Sequence, residues 1–302
     1  MKEKYLIVDS FNLATASRYA MPDLTYGSIF TGAIYGFIRD VANISSLMNC
    51  TRVIFCWDAG SDPRRQIFPE YKLKRREKRL ATETPEDKAA FDSYMLLKNS
   101  IIPDLGFANN IWCKGYEADD VIASIVMNWK DHFSEKPVVL SSDEDLYQLL
   151  RHCDLWQRSK TRLFTEEIFR DMYKITPEEW ILVKSIGGCS SDEVPSVAPH
   201  IVGTERALSY IRGELNHTKP QWWYITSLLG QKRRERNLQL VKLPFPGCVI
   251  PEKPEPDRLA MEKYAKVCTK YGLYSLLAEP LGEQFIRLIN CGTESGCTQV
   301  SP

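Results

Sequence analysis

Short apolar strands that each end in an aspartate alternate with helical segments in the first half of the chain. The strand-like segments are YLIVD (5–9), RVIFCWD (52–58) and PVVLSSD (137–143), and amphipathic helical patterns lie between them. This alternation predicts an α/β fold with a mainly parallel central sheet flanked by helices. Because the carboxyl ends of parallel strands share one edge of the sheet, where ligands bind, the three aspartates are expected to converge there.

A further group of acids begins the apolar segment GYEADDVIASIVMNW (115–129). Glu117, Asp119 and Asp120 stand together at the N-terminus of a predicted helix. Acidic side chains at this position interact favourably with free N–H groups and with the helix dipole, so helix capping is one explanation. A metal site is the other, because three neighbouring carboxylates repel one another. The segment alone leaves both explanations open.

Two later segments complete a set of eight candidate metal ligands. Magnesium prefers oxygen ligands and keeps several of its waters, so two ions can share a few carboxylates. Ions about 4 Å apart activate water and stabilise the leaving oxygen in phosphodiester hydrolysis, and none of the four histidines lies near these motifs. The predicted metal ligands are Asp9, Asp58, Glu117, Asp119, Asp120, Asp143, Asp145 and Asp192.

Positive charge is concentrated in the segment RRQIFPEYKLKRREKR (64–79), although the formal net charge of the chain is zero. The segment carries eight Lys or Arg residues against two Glu. The segment is either a solvated charged surface or a phosphate-binding surface. In either case it forms a helix or a loop that projects from the sheet. Cations next to metal-binding acids favour phosphodiester chemistry. The predicted DNA contacts in this segment are Arg64, Arg65, Lys74, Arg76 and Lys78.

Composition indicates a globular protein that is neither exported nor embedded in a membrane. The chain has 302 residues, of which 44% are hydrophobic and 26% charged, and no apolar run is long enough to span a bilayer. Its nine cysteines form no C-x-x-C pair, so we expect reduced thiols and no zinc motif. The predicted regions are an α/β core (1–175) with a basic arch at about 64–100, a helical region (176–290) and a disordered tail (291–302).

Eight segments of the chain resemble the 5′ nuclease or flap endonuclease family of bacteriophages and bacteria. GYEADD followed some twenty residues later by SSDEDLYQLL is the most specific part of this resemblance. The matching segments are VDSFN (8–12), FCWDAG (55–60), FPEYKLKRR (68–76), GYEADDVIA (115–123), LSSDEDLYQLL (140–150), SSDEVPSV (190–197), RNLQLVKLP (236–244) and KYGLYSLL (270–277).

The resemblance implies a PIN-like nuclease core, a helical arch over the active site and a helix-hairpin region that grips duplex DNA. It marks the listed acids as the metal site, and it places Lys72 and Arg75 at the base of the arch as catalytic residues that hold the scissile phosphate. Tyr71 is expected either to stack on a terminal base or to pack against the sheet. Gly203 would contact the DNA backbone from the hairpin.

The chain departs from the family pattern in two places. Family members commonly carry a G-D-x-x-D-N segment, but here Cys189 replaces the first aspartate. Magnesium does not favour a thiol, so we expect a weakened second metal position, with Glu193 as a substitute ligand. The hairpin segment PSVAPHIVGTERAL (195–208) keeps only Gly203, which gives a potassium ion there little support.

These observations predict a magnesium-dependent 5′-3′ exonuclease and 5′ flap endonuclease, with manganese as a substitute ion. The expected substrate is branched or flapped duplex DNA or an RNA–DNA hybrid. The expected partners are a replication polymerase and a single-strand binding protein, and the protein is expected to be a monomer in the cytoplasm of a bacterial cell, encoded by the cell or by a phage. The alternatives are a DNA-binding protein disabled by Cys189, and an RNA-cleaving PIN enzyme, which does not account for the basic arch.

Overall fold

The computed structural model describes residues 3–278 and 280–294. A π-helical turn, Leu97–Ile101, joins the fifth and sixth helices. The strands are β1 Tyr5–Asp9, β2 Thr25–Tyr26, β3 Ile29–Phe30, β4 Arg52–Trp57, β5 Asn110–Trp112, β6 Val138–Leu140, β7 Asp154–Gln157 and β8 Arg162–Phe164. The helices are α1 Ser10–Ala20, α2 Gly32–Leu47, α3 Asp62–Ile67, α4 Leu73–Thr82, α5 Pro85–Leu96, α6 Ile102–Leu105, α7 Ala118–Asn128, α8 Glu166–Tyr173, α9 Trp180–Gly187, α10 Thr204–Ile211, α11 Pro220–Thr226, α12 Leu228–Val241, α13 Met261–Lys270 and α14 Leu281–Glu294.

The central sheet has six strands in the order β5-β4-β1-β6-β7-β8. All neighbouring pairs are parallel except β7 and β8, which are antiparallel. Strands β2 and β3 form a separate antiparallel hairpin. The prediction of a mainly parallel sheet is confirmed, and the three predicted strands are β1, β4 and β6. Since β1 lies between β4 and β6, their carboxyl ends are adjacent at one edge.

Side chains of the central strands alternate between two apolar cores. In β1, Leu6 and Val8 belong to one core, whereas Tyr5 and Ile7 belong to the other. Helices α1, α2, α5, α6, α13 and α14 contribute to the first core, and α7 to α11 contribute to the second. Both faces of the sheet are therefore covered, as expected for parallel strands whose sequences are apolar throughout.

The region after residue 176 is helical, as predicted, and its only strand-like contact among the described residues is a bridge between Cys189 and Val194. It does not form a core of its own. Phe285 of α14 stacks on Tyr264 of α13, with ring centroids 3.9 Å apart, and its edge meets Phe107 next to the sheet. The two predicted regions thus share the same cores.

The end of the chain differs in part from the sequence prediction. Helix α14 continues to Glu294, which is four residues into the segment predicted as a disordered tail. The remaining residues of that prediction, 295–302, lie outside the described residues. Within residues 3–278 and 280–294, no helix has the length and apolar character needed to cross a membrane.

The basic segment forms helices α3 and α4 rather than an irregular loop. Lys72 precedes α4 with a φ of 52°, so the chain turns sharply between the two helices. The next helix, α5, begins after Thr84 with a capping box, in which Thr84 and Asp87 accept each other's backbone N–H groups. Helices α4 and α5 form the predicted arch over the carboxyl edge of the sheet.

Candidate active site

Four carboxylates stand around the carboxyl edge of the sheet, each placed by a different element. Asp9 ends β1, Asp58 follows β4, Asp143 follows β6, and Asp119 lies in the first turn of α7. Asp9 is 6% exposed and accepts hydrogen bonds from the Ser141 hydroxyl, at 2.9 Å, and from a backbone N–H of α1. The predicted convergence of the strand-terminal aspartates is what the structure shows.

Asp9 is buried and the other three carboxylates are half-buried, so water screens their shared negative charge poorly. Burial and the charge of Asp58 raise the pKa of Asp9 from 3.8 to about 7. Burial and the charge of Asp145 raise the pKa of Asp143 to about 6, and burial together with Asp143 and Asp9 raises the pKa of Asp119 well above its usual range. A divalent cation would relieve this repulsion, so the donor set fits a hard metal ion.

This repulsion makes a testable prediction for Asp9→Asn without metal. The folded-state pKa of Asp9 is raised, so between about pH 4 and 7 the folded state binds more protons than the unfolded state, and stability falls as pH rises. Asparagine removes this loss, and we expect the variant to be more stable than the parent by about 2–4 kcal/mol at pH 8 in EDTA.

Urea unfolding in EDTA at several values between pH 4 and pH 8 measures this difference. The advantage of Asp9→Asn should shrink steadily toward pH 4 and vanish only below about pH 3, where the carboxyl is protonated in both states. Asp131→Asn, which changes an exposed acid beyond the end of α7, is the matched control and should follow the parent. Parallel pH profiles for Asp9→Asn and the parent would contradict the interpretation.

A second group of charges joins the base of the arch to the site. The Lys72 ammonium lies 2.6 Å from Glu117 and 3.1 Å from Asp192. The Tyr71 hydroxyl lies 2.8 and 2.9 Å from the same two carboxylates. Burial acts to lower the pKa of Lys72, but Asp192 and Glu117 outweigh it and raise the pKa. Glu117 and Asp192 therefore fix the position of the Lys72 side chain and keep it protonated.

Two of the predicted DNA contacts are wrong because their side chains are buried. Tyr71 is 1% exposed and its hydroxyl is bonded to carboxylates, so packing rather than base stacking is its role. Arg64 is 2% exposed, and its guanidinium donates to both oxygens of Asp120 and to the carbonyl of Leu240. A sequence run of basic residues does not reveal which of them point into the protein.

The prediction of Asp120 as a metal ligand is also wrong. Its side chain is fully buried, and its oxygens accept hydrogen bonds from Arg64 and from the backbone N–H groups of Phe245 and Glu117. Helix capping is therefore correct for Asp120, whereas the metal-site explanation for Glu117 and Asp119 stays a prediction. Asp120 caps α7 and fastens it to the core, while Glu117 and Asp119 face the site.

Asp145 and Asp192 belong to a third group, around Cys189. The thiol of Cys189 donates to Asp145 at 3.3 Å, and burial with the nearby aspartates raises its pKa to about 12. Lys184 of α9 places its ammonium 2.7 Å from Asp145, a contact that the sequence analysis missed. A single lysine in an amphipathic helix carries no sequence signal for such a role.

Glu193 is not a substitute ligand. Its carboxylate accepts the backbone N–H groups of Lys74 and Arg75, at 2.9 and 2.8 Å, and so caps the first turn of α4. Glu193 therefore stabilises the start of the arch helix α4 and does not take the place of the missing aspartate. Gly203, by contrast, precedes α10 in an exposed position, next to the α9–α10 hairpin, where the sequence placed a DNA contact.

Beneath the arch lies a cavity of about 680 Å³. Its walls combine the site carboxylates Asp58 and Glu117 with cations of α4, including Arg75. The Nε of Arg76 is buried there and has no hydrogen-bond partner among the described residues. The cationic side chains that line the cavity are Arg18, Lys72, Arg75, Arg76, Lys78 and Lys98.

Comparisons with known sequences agree with this architecture. The model of the family described as 5′-3′ exonuclease, N-terminal resolvase-like domain, matches residues 4–174. A 5′-3′ exonuclease of Halalkalibacterium halodurans is 29% identical over 223 residues, which cover 68% of this chain and 69% of that protein. The thermostable DNA polymerase I of Thermus thermophilus is 28% identical over 243 residues, which cover 80% of this chain but 26% of the polymerase.

Solved structures share the fold at lower sequence identity. A T5 5′-exonuclease with bound zinc superposes with a TM-score of 0.66 and 21% identity, covering 96% of this chain and 100% of that one. The catalytic core of Rad2 in complex with DNA substrate superposes with a TM-score of 0.56 and 11% identity, covering 96% and 92%. The sheet, arch and acidic edge define a PIN-like α/β nuclease fold. The chain belongs to the 5′-3′ exonuclease family.

Proposed function

We propose that this chain is a divalent-metal-dependent 5′-3′ exonuclease and 5′ flap endonuclease that hydrolyses phosphodiester bonds in DNA. The observation that carries the proposal is the cavity under the arch, which is lined by both carboxylates and cations. Such a cavity can hold a metal ion and a phosphate together. Family membership supports the reaction class, and the named relatives include 5′-3′ exonucleases.

The four strand-edge carboxylates, Asp9, Asp58, Asp119 and Asp143, are the proposed metal ligands, with Mg²⁺ as the working ion and Mn²⁺ as its substitute. A divalent ion held there supplies the positive charge that activates water and stabilises the leaving oxygen. Glu117 keeps Lys72 protonated and in place, so that its N–H groups can meet a phosphate oxygen.

The arch cations are the proposed phosphate contacts. Arg75 is exposed at the cavity and can form a bidentate pair with the scissile phosphate. Lys74 and Lys78 are also exposed on α4, whereas Arg65 is paired with Asp62. Flapped or branched duplex DNA is the proposed substrate, gripped in addition by the hairpin around Gly203.

The remaining parts of the proposal concern the setting in which the protein works. We place it as a monomer beside a replication polymerase or a single-strand binding protein, with RNA–DNA hybrids as a further substrate. The seven described cysteines are free thiols, which supports a reducing, cytoplasmic compartment. A DNA-binding protein without catalysis is the second candidate, because Cys189 and Lys184 occupy the place of a second metal position.

Cleavage of a 5′-labelled flap duplex across a magnesium titration tests the proposed function. Matched blunt duplex and single-stranded substrates, and a manganese series, are run in parallel. Cutting at the flap junction that increases with metal and is absent on the single strand is the expected result. DNA binding without cleavage in either metal would favour the second candidate.

The unpaired Nε of Arg76 leads to a separate prediction for Arg76→Gln. If Arg76 contacts a phosphate, the slope of the logarithm of DNA affinity against the logarithm of salt concentration should fall by about one. Fluorescence anisotropy with a flap duplex in EDTA measures this slope without cleavage. Lys130→Gln, an exposed cation beyond α7, is the control and should leave the slope unchanged. Equal slopes for Arg76→Gln and the parent would exclude this contact.

A further inference from the structure

One group of three metal-ligating side chains in the described part of the chain already has its donor atoms close together. The carboxylate oxygens of Asp145 and Asp192 and the sulfur of Cys189 all lie within 4.8 Å of one another. Asp145 is 7% exposed and Cys189 is 3% exposed, so two of the three donors are buried. The strand-edge carboxylates form no such triplet among the described residues.

The fold positions these donors through separate elements. Asp145 lies in the 3₁₀ turn that follows β6, and the bridge between Cys189 and Val194 closes a tight loop that returns Asp192 to the side of the thiol. The group already attracts a cation, because the Lys184 ammonium lies 2.7 Å from Asp145. This contact shows that a cation is stabilised at Asp145, and a bound metal ion would have to displace the ammonium.

We propose that Asp145, Cys189 and Asp192 bind a thiophilic divalent cation, such as Zn²⁺ or Co²⁺, in preference to Mg²⁺. A sulfur donor suits these ions, whereas Mg²⁺ requires oxygen ligands in an octahedral arrangement. Metal–ligand bonds of about 2.0–2.3 Å give donor separations of roughly 3.5 Å in a tetrahedral site, so the three side chains need to close only slightly.

Binding is a ligand exchange without oxidation or reduction. The thiol of Cys189 gives up its proton to the buffer as the sulfur–metal bond forms, and the Lys184 ammonium leaves Asp145 with its protons retained. The cysteine spacing in the sequence excludes a zinc motif of paired cysteines, and this site does not use one. It is assembled by tertiary contacts from a single cysteine and two aspartates.

The inference deepens the proposed nuclease function and rests on it for its place, because the three donors lie at the second metal position, where Cys189 replaces an aspartate of the family pattern. The strand-edge group contains only oxygen donors, so the two groups of side chains should prefer different metal ions. Mg²⁺ is expected at the strand edge, and a thiophilic ion at Cys189. Since Asp192 also contacts Lys72 and Tyr71, an ion bound there would compete with the contacts that hold the base of the arch.

Titration of the metal-free full-length chain with Co²⁺ tests the proposal, because a cobalt–thiolate bond gives a charge-transfer absorption in the near ultraviolet. The expected result is a band that saturates at one equivalent and persists in a large excess of Mg²⁺. Cys189→Ser should remove it, whereas Cys113→Ser, a half-buried cysteine outside the group, should keep it. Lys184→Gln removes the competing ammonium and should tighten cobalt binding about tenfold.

A second variant guards against a folding defect in Cys189→Ser. Cys189→Asp keeps three donors, so it should still bind Co²⁺ but without the thiolate band, and it should gain Mg²⁺ binding by calorimetry. The proposal is overturned if no thiolate band forms, if the band survives in Cys189→Ser, or if Mg²⁺ at similar concentration displaces the cobalt. None of these readouts depends on DNA cleavage, so failure here leaves the proposed function intact.

Discussion

Replacing Asp119 with asparagine is expected to reduce metal-dependent cleavage at a flap junction by on the order of a thousandfold. Asp119 lies in the first turn of α7, and the charges of Asp143 and Asp9 contribute to its raised pKa. An amide of the same size preserves packing but removes a charged ligand from the proposed metal site. The loss should therefore appear in catalysis and not in folding.

Single-turnover cleavage of a flap duplex, with enzyme in excess, measures this effect directly. DNA affinity in EDTA should be unchanged or slightly higher, because a negative charge next to the phosphate has been removed. Asp131→Asn serves again as the matched control and should cleave at the parental rate. Cleavage within tenfold of the parent for Asp119→Asn would refute the assignment of the strand-edge carboxylates.

Replacing Arg64 with methionine is expected to destabilise the protein by about 3–5 kcal/mol. Methionine fills a similar volume, but it leaves the fully buried Asp120 without its cation and the carbonyl of Leu240 without its donor. An unpaired charge in the interior costs far more than a lost surface contact. The effect should appear as a lower urea midpoint with an unchanged slope.

Two further variants separate the buried pair from general effects of lost charge. Arg65→Met, on the same helix, removes an arginine whose partner Asp62 is exposed, and should change stability by no more than about 0.5 kcal/mol. The double variant Arg64→Met with Asp120→Asn removes both charges but keeps a side-chain oxygen that can accept the backbone N–H of Phe245, and it should recover part of the loss. If Arg64→Met lowers the free energy of unfolding by no more than Arg65→Met does, the ion pair between Arg64 and Asp120 does not stabilise the fold.

The parts of the site that strands position were predictable from the sequence. Asp9 and Asp58 end strands whose apolar pattern is unmistakable, and parallel strands must bring their carboxyl ends to one edge. Asp143 follows a third strand by the same rule. These predictions need only local patterns and one topological rule, so they do not depend on how distant side chains pack.

The parts that fail depend on contacts between distant residues. Arg64 and Asp120 are 56 positions apart, and nothing in the basic segment distinguishes the buried arginine from its exposed neighbours. The sequence also gave no sign that Glu193 would cap α4 or that Lys184 would pair with Asp145. Burial decides whether a charged side chain binds a ligand or a neighbour, and burial is a property of the assembled fold.

The way the C-terminal helices complete the first core has a consequence for synthesis of the protein. At Gly106, which ends α6, a side chain would lie 2.2 Å from the carbonyl oxygen of Arg258, so this turn is shaped to receive a segment made about 150 residues later. Phe107, the next residue, likewise makes an edge-to-face ring contact with Phe285 of α14. During translation the part of the first core that α13 and α14 complete therefore stays exposed until these helices have been made. We expect this part of the nascent chain to expose apolar surface until then.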